Sequence, residues 1–485
     1  MRVLLLDVDS LRPDRLGCYG YERETSPTID DLASSGVVFD RCFASDTPCL
    51  PSRTALATGR FGLKTGVVTH HGTGQDYEEP GEGHSGDPDR PLTFRQLSEA
   101  GVHTASISSF SKRHLAYHFS AGFRESIQPT TSCGMEHADD VTPVAVDWLD
   151  RHAADDDWLL HVNYWDVHQP YRGISDETME TVRESGPAAP WPDEAAIAAQ
   201  QPADPGAPTE TDSWRGEELD VPGSIESRAD AERIIDCYDA AIRRVDDAVA
   251  ELLGALERAG VREETTVVVT ADHGEALGEH VRYCGHGFPH PPCQQVPMIV
   301  SGPMAGATGH VDAQVYQFDL SATLLDRAGL DVPARWDAAP FSAALDGRDF
   351  DGREYLVCGQ GIASFGRAVY RDQWVYIRLL HPGKKSMPGQ FDDPDMPGRS
   401  HELLHNLDED PHMTENVISE YPAVADELAL ELGDWHQRAL TSPDAAGRDP
   451  LAEMAVTRGP FLYTDEASAS VETDFERAFG AYRRE

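Results

Sequence analysis

Short apolar runs recur along the chain, and the clearest of them end on polar residues. Residues 2–9 (RVLLLDVD) read as a buried strand closed by carboxylates. Residues 265–275 (TTVVVTADHGE) are the clearest parallel strand, a β-branched run passing into polar residues. HTASIS (103–108), WLLHVNYWDVH (158–168) and VPMIVSGP (296–303) read as further strands. Between them lie helical stretches at 52–60, at 93–101 closed by Gly101, at 141–152, and over about 229–259 with Gly260 as the stop. Strands alternating with helices predict an α/β fold, a large mostly parallel sheet sandwiched by helices. In such sheets ligands bind beyond the carboxyl ends of the strands. Three polar clusters fall there: Asp7/Asp9, Asp166/His168 and Asp272/His273.

Two stretches break this rhythm. Residues 173–228 are rich in Pro, Ala, Asp, Glu and Ser with few periodic apolar positions. They read as a surface insertion, with a lid over the pocket as the functional alternative. From about 350 the pattern changes to short strands such as YLVCG and WVYIRLL. The expected organisation is therefore a catalytic domain at 1–345, carrying the insertion, and a small C-terminal antiparallel α+β subdomain and tail at 346–485. No internal repeat is evident.

Composition narrows the partners. Of 485 residues, 84 are acidic and 40 basic, a formal net charge of -44 spread along the whole chain. That argues against nucleic acid and against anionic membrane surfaces. It reads as a solvated acidic surface of the halophilic kind, suited to concentrated salt. The eight cysteines include no CxxC pair and suggest no disulfide framework. The N-terminus runs directly into a strand without a signal-like segment, and no apolar stretch reaches the ~18 residues of a spanning helix. A cytoplasmic location follows as an expectation.

The chemistry is concentrated at Cys49-Leu50-Pro51-Ser52-Arg53, followed by Thr58-Gly59-Arg60. Pro51 suits the first turn of a helix, which puts Cys49 at the helix N-terminus, where free N–H groups favour an oxyanion. Arg53, one turn on, faces back toward it. This stretch resembles the signature of the formylglycine-dependent sulfatases, members of the alkaline phosphatase-like superfamily. The resemblance implies that a maturation enzyme oxidises Cys49 to formylglycine. Its hydrate offers one hydroxyl to attack sulfur and a second to expel sulfate by collapsing back to the aldehyde, with a covalent sulfoenzyme between. Arg53 would hold the hydrate.

The same resemblance implies a site for one divalent metal. Asp9-Ser10-Leu11-Arg12, then Gly17-Cys18-Tyr19-Gly20, matches the family's first strand, and Asp272-His273-Gly274 its second metal cluster. Asp9, Asp272, His273 and an oxygen of the modified Cys49 form the implied ligand set, with Asp7 as a backup. Such oxygen-rich ligands favour Ca²⁺, with Mn²⁺ or Mg²⁺ as alternatives. Ser10 stands where many sulfatases have a second Asp. That departure resembles the branch containing phosphonate monoester hydrolases.

Further residues fall on family motifs. Lys112-Arg113-His114-Leu115 implies Lys112 as a sulfate-binding cation and His114 as a residue orienting the nucleophile. Asp166-Val167-His168-Gln169-Pro170-Tyr171 implies His168 as the acid for the leaving alcohol. His286 takes the place of a sulfate-binding Lys or His. A zinc reading of Cys284, His286, His290 and Cys293 competes for this last stretch.

The expected activity is hydrolysis of a sulfate monoester, small-molecule or glycan, by an arylsulfatase-like enzyme. The alternatives are a phosphonate monoester or phosphodiester hydrolase of the same fold, and a non-catalytic binding protein. A sulfate ester is an anion that this surface should repel. Salt at 1 M shrinks the screening length to roughly 3 Å, so the charges inside the pocket decide.

Overall fold

The structure, a computed structural model of the chain, describes residues 1–77, 92–132, 134, 136–171, 173–200, 209–210, 222–383, 395–396, 398–442, 445 and 447–457. Eight strands form the large sheet: β1 (Arg2–Val8), β2 (Gly36–Phe39), β3 (His103–Ile107), β4 (Glu125–Ile127), β5 (Trp158–Tyr164), β6 (Thr265–Thr270), β7 (Met298–Ser301) and β8 (Gly309–Val311). Their order is β8-β2-β7-β6-β1-β5-β3-β4. β1 lies between β6 and β5, parallel to both, with Asp7 opposite Thr270 on one side and Asn163 on the other. Every residue of β5 and β6 is buried, as a sheet covered on both faces requires.

The helices flank the sheet in two groups. Pro27–Ser34 and Ala138–His152 pack on the long helix Arg228–Ala259, while Cys49–Thr58, Thr93–Glu99 and Asp319–Arg327 pack on one another. The long helix starts at a capping box made by Ser227 and Asp230 and stops at Gly260, whose φ of 73° is a left-handed cap.

The fold is the α/β architecture expected, with one correction. β7, within the 296–303 run, is antiparallel to both β6 and β2. After Asp272-His273 the chain returns through the loop 276–295 instead of a crossover helix, so the next strand points the other way. The sheet is mixed because of that one return.

The small sheet comprises β9 (Leu356–Ile362), β10 (Ser364–Arg371), β11 (Trp374–His381) and β12 (Glu402–Asn406), all antiparallel neighbours. Helix Pro422–Thr441 covers it through Ala425 and Leu428, packed on Val357, Val369, Tyr376 and Leu404. A fifth strand, Asp46–Thr47, joins β9 in parallel, from the loop just before Cys49. Thr47 Oγ1 donates to the Gly359 carbonyl (3.0 Å) or to Gln360 Oε1 (2.6 Å). The C-terminal sheet thus anchors the segment that presents residue 49.

Segment 173–228 is tethered to the body. It contains helices Asp176–Ser185 and Glu194–Ala199. Arg183 pairs with Asp236 of the long helix at 2.7 Å, the Trp191 ring stacks on His412 at 4.2 Å, and Gln200 donates to the Tyr283 hydroxyl at 2.8 Å. Residues 201–208 and 211–221 lie outside the described residues. The seven described cysteines are free, and Cys133 lies outside the described set. Among the described residues no helix is long and apolar enough to cross a membrane.

Asp46 gives a stability prediction. Burial raises its carboxyl to about 7, although the Gly62 N–H (2.8 Å) and Ser45 hydroxyl (2.9 Å) donate to it. The folded chain therefore binds this proton more tightly than the unfolded chain between pH 3.8 and about 7. Stability falls as pH rises through that window, by roughly 3–5 kcal/mol in total. Asp46→Asn should gain stability relative to the parent at pH 8 and gain much less at pH 5, read as the difference in melting temperature. An equal difference at both pH values contradicts the assignment.

Candidate active site

The site forms where β1, β3, β5 and β6 end. Asp9 follows β1, and its N–H donates to the Tyr164 carbonyl at the end of β5 (2.9 Å). Ser10 adopts a left-handed φ of 64°, donates its N–H to Asp272 Oδ1 (3.2 Å) and its hydroxyl to Asp9 Oδ1 (3.1 Å). Tyr238 of the long helix pins this turn: its hydroxyl donates to the Ser10 carbonyl (2.6 Å) and accepts the Arg12 N–H (2.9 Å).

Asp272 and His273 follow β6 directly. A Cβ on Gly274 would meet the Pro292 carbonyl oxygen at 2.1 Å, so only glycine lets this loop close against 292. The His273 Nδ1 lies 2.8 Å from the Gly274 carbonyl; donating there leaves Nε2 unprotonated, 3.1 Å from Cys49 Sγ. Burial holds the ring well below the usual histidine range, so it is neutral.

Cys49 is the first residue of helix Cys49–Thr58, fully buried. Ligand atoms of Asp9, Cys49, Asp272 and His273 lie within 4.8 Å of one another, and all four residues are buried. Burial, then the carboxylates of Asp9 and Asp272, push the thiol well above its usual range, against the pull of Arg53 and Arg113. An unmodified Cys49 is a neutral thiol here. The rest of the motif is structural. Gly59 caps the helix at φ 62°, where a Cβ would meet the Trp336 ring at 2.4 Å, and buried Arg60 donates to the Tyr77 hydroxyl at 2.6 Å.

Arg53, one turn after Cys49, is completely buried among carboxylates. Its Nε and Nη2 donate to Asp7 (2.6 and 3.1 Å), and its Nη1 donates to Asp9 (2.9 Å) and Asp272 (2.6 Å). Asp7, the backup ligand in the sequence, is outside the four converging residues; it clamps the guanidinium and also meets His161 Nε2 at 3.2 Å. The guanidinium holds Asp7 and Asp9 below the usual carboxylate range against the cost of burial. Asp272 goes the other way: burial, then Asp9 and Asp7, raise it well above that range despite Arg53. With Asp272 ionised as well, three buried carboxylates against one guanidinium would leave two negative charges. A divalent cation matches that deficit, and the donor set of carboxylates with one imidazole suits it.

Histidines line the rest. His168 and His286 each bring a ring nitrogen within 4.8 Å of Cys49 Sγ, as do His70 and His114 in a second group. The His286 ring stacks on His273 at 4.2 Å, with Nδ1 3.8 Å from Glu275 Oε1. His168 Nδ1 lies 2.6 Å from the Gln169 carbonyl, and burial lowers its pKa to about 3. His114 packs on His70 at 4.5 Å, and His70 Nε2 accepts the Leu50 N–H at 3.2 Å.

Lys112 and Arg113 end the short helix Phe110–Arg113; among the described residues Lys112 has no hydrogen bond or ion pair to the residues above, and the charge of Arg113 acts on Cys49, His70, His114 and His168. The zinc reading is corrected. Cys284, His286, His290 and Cys293 do not converge on one point: His286 faces Glu275 and His273, and His290 Nε2 meets Cys293 Sγ at 3.0 Å. Sequence reasoning missed His70, Arg113, Trp165 and Glu275. The doubled histidine His70-His71 was the one available signal.

The chain is similar to known proteins. The Sulfatase family model matches residues 2–330. An arylsulfatase of Clostridium perfringens is 22% identical over 408 residues, covering 75% of this chain and 82% of the relative. An N-acetylglucosamine-6-O-sulfatase of Bacteroides thetaiotaomicron is 24% identical over 420 residues, covering 71% and 70%. The crystal structure of the phosphonate monoester hydrolase of Agrobacterium radiobacter superposes with a TM-score of 0.66 at 18% identity, covering 90% of this chain and 96% of that one.

Proposed function

The chain belongs to the sulfatase family and is a sulfuric ester hydrolase of the alkaline phosphatase-like fold; on that footing we propose that it cleaves sulfate monoesters with a nucleophile made from Cys49 and one divalent cation. The observation that supports this most is the convergence of Asp9, Cys49, Asp272 and His273 within 4.8 Å, beside Arg53. Those four residues would hold the cation, Ca²⁺ in preference to Mn²⁺ or Mg²⁺. Bound there, it would act as a Lewis acid on oxygen, and an oxidised Cys49 would supply the hydrated aldehyde that a maturation enzyme makes.

The chain's own residues do the rest. The N-terminal end of helix Cys49–Thr58 favours negative charge at residue 49. Arg53 keeps the carboxylates fixed and partly neutralised. His114, seated on His70, orients residue 49. His168 directs Nε2 toward the leaving oxygen and serves as its acid once the bound anion raises its pKa. His286, backed by Glu275 and next to His168, reaches the sulfuryl oxygens.

The substrate is a small-molecule or glycan sulfate, as the N-acetylglucosamine-6-O-sulfatase relative suggests. The acidic surface suits a salt-rich cytoplasm, where screening leaves the pocket to select the anion. A second reading, a phosphonate monoester hydrolase, is favoured by Ser10, whose hydroxyl reaches Asp9 where many sulfatases have a carboxylate. Assaying aryl sulfate and aryl phenylphosphonate with one preparation decides. A higher kcat/KM on the phosphonate overturns the sulfatase reading.

Removing the cation should also show without turnover. Chelation should lower the melting temperature by several degrees, because the cation binds the folded site and not the unfolded chain. Re-adding Ca²⁺, Mn²⁺ and Mg²⁺ singly should identify the ion. In Asp272→Asn the melting temperature should no longer respond to chelator; an undiminished response rules out Asp272 as a ligand.

A further inference from the structure

A second group of metal-binding side chains lies at the other end of the large sheet. β3 runs parallel to β4 and β5, so the first residues of β3 and β4, His103 and Glu125, sit at the strand ends away from residue 49. Helix Ala138–His152 delivers His152 to the same place, and the turn after it delivers Asp155. A ring nitrogen of His103, one of His152 and a carboxylate oxygen of Asp155 lie within 4.8 Å of one another. The chemistry at residue 49 uses none of them.

Their spacing suits an ion. His152 Nδ1 and Asp155 Oδ2 are 3.1 Å apart. Bonds of about 2.0–2.1 Å at tetrahedral angles set two ligand atoms about 3.3 Å apart, so a cation fits between this pair with little movement. The His103 ring stands edge-on to the His152 ring, with centroids 4.9 Å apart, and supplies the third ligand. Both rings are held from behind. Buried Trp148 packs on them at 5.5 and 4.8 Å, and Glu125 Oε1 contacts His103 Nε2, as a carboxylate does when it orients a ligating imidazole. The turn is pinned as well: Arg2 Nε donates to the Asp155 carbonyl and the Asp155 N–H to the His152 carbonyl, each at 2.9 Å. Arg151 Nη1 faces His152 Nε2 at 3.3 Å, so Nδ1 carries the ring proton. On ion binding that proton moves to Nε2, and Arg151 keeps Asp147 as its partner at 3.0 Å. The His103 and His152 side chains are 23% and 24% exposed and that of Asp155 56%, so an ion reaches them from solvent.

We propose that His103, His152 and Asp155 bind a zinc-type divalent cation that ties helix Ala138–His152 to the edge of the sheet. Two imidazoles and one carboxylate, with water completing the shell, suit Zn²⁺, whereas Ca²⁺ and Mg²⁺ require more oxygen. β4, next to His103, is the last strand of the sheet, an edge that gains from such a tie.

This site is independent of the one at residue 49, and the test separates them. The full chain, prepared free of zinc and saturated with Ca²⁺, is titrated with Zn²⁺ by equilibrium dialysis with elemental analysis. One zinc equivalent should bind that excess Ca²⁺ does not displace, and it should raise the melting temperature by a few degrees. His103→Ala and His152→Ala should each weaken that equivalent at least about tenfold and cancel the rise, with kcat/KM on an aryl sulfate unchanged. Asp155→Asn, at an exposed position, should do the same and serves where a histidine variant folds poorly. Asp272→Asn should retain the zinc. Zinc held equally by the parent, His152→Ala and Asp155→Asn, or lost in Asp272→Asn, overturns the proposal. So does a parent chain that takes up no zinc at about 0.1 mM of the free ion.

Discussion

Cys49→Ala should abolish sulfate-ester turnover, by at least about 10⁴-fold, while leaving the fold intact. The activity term is large because no neighbouring group can replace a nucleophile at this point. Asp9, Asp272 and His273 converge on residue 49 from two strand ends. The stability term is small. The substitution removes one sulfur from the first residue of helix Cys49–Thr58 and costs on the order of 1 kcal/mol. The Leu50 N–H keeps its acceptor, His70 Nε2, at 3.2 Å. Cys49→Ser separates the two halves of the chemistry. A single hydroxyl can attack but cannot release sulfate by collapsing to an aldehyde, so one turnover followed by a stall is expected. Mass spectrometry of the tryptic peptide carrying residue 49 should show aldehyde or its hydrate in the active protein. An untouched thiol in a fully active preparation, or appreciable turnover by Cys49→Ala, would discard the proposed nucleophile.

The second large effect belongs to Arg53. Arg53→Met should destabilise the protein by about 3–5 kcal/mol as well as remove activity, because it strips a guanidinium from three fully buried carboxylates. Asp7 suffers most, losing two hydrogen bonds at 2.6 and 3.1 Å and keeping His161 as its neighbour. The double variant Arg53→Met with Asp7→Asn should therefore regain part of the lost stability and none of the activity. Urea denaturation of the single and double variants measures this coupling. Arg53→Met with the midpoint of the parent would show that the carboxylates do not depend on the guanidinium.

Much of this site was legible in one dimension. Asp9, Cys49, Arg53, Asp272 and His273 sit where strands end or a helix begins, and their local signals are strong: a β-branched run into Asp-His-Gly, and Pro51 two residues after Cys49. Those signals are local because strand ends and helix starts are set by neighbouring residues. Other roles were out of reach. Trp165 lies more than fifty positions from Arg113 in the chain, and only the fold sets its ring 5.0 Å from that guanidinium. Asp7 looked like a ligand because it shares a strand face with Asp9. Only the arrival of Arg53 from another element shows that it holds a guanidinium. His70 carried little signal because its role, accepting the Leu50 N–H, arises from a fold-back of the chain. The direction of β7 also escaped the pattern, since an apolar run reads the same whichever way the strand points.

The sequence by itself determined the parallel strands that carry acids at their ends, the helix that begins at residue 49, and the residues that could supply a nucleophile and bind a dication. These follow from short-range rules of backbone geometry and from the chemistry each side chain can perform. Tertiary structure alone decided that Arg53 is spent on the protein's own carboxylates, and it brought Asp46–Thr47 into the C-terminal sheet beside the site. Both depend on how separate segments meet in space, where Coulomb energy varies with distance and burial and not with position in the chain.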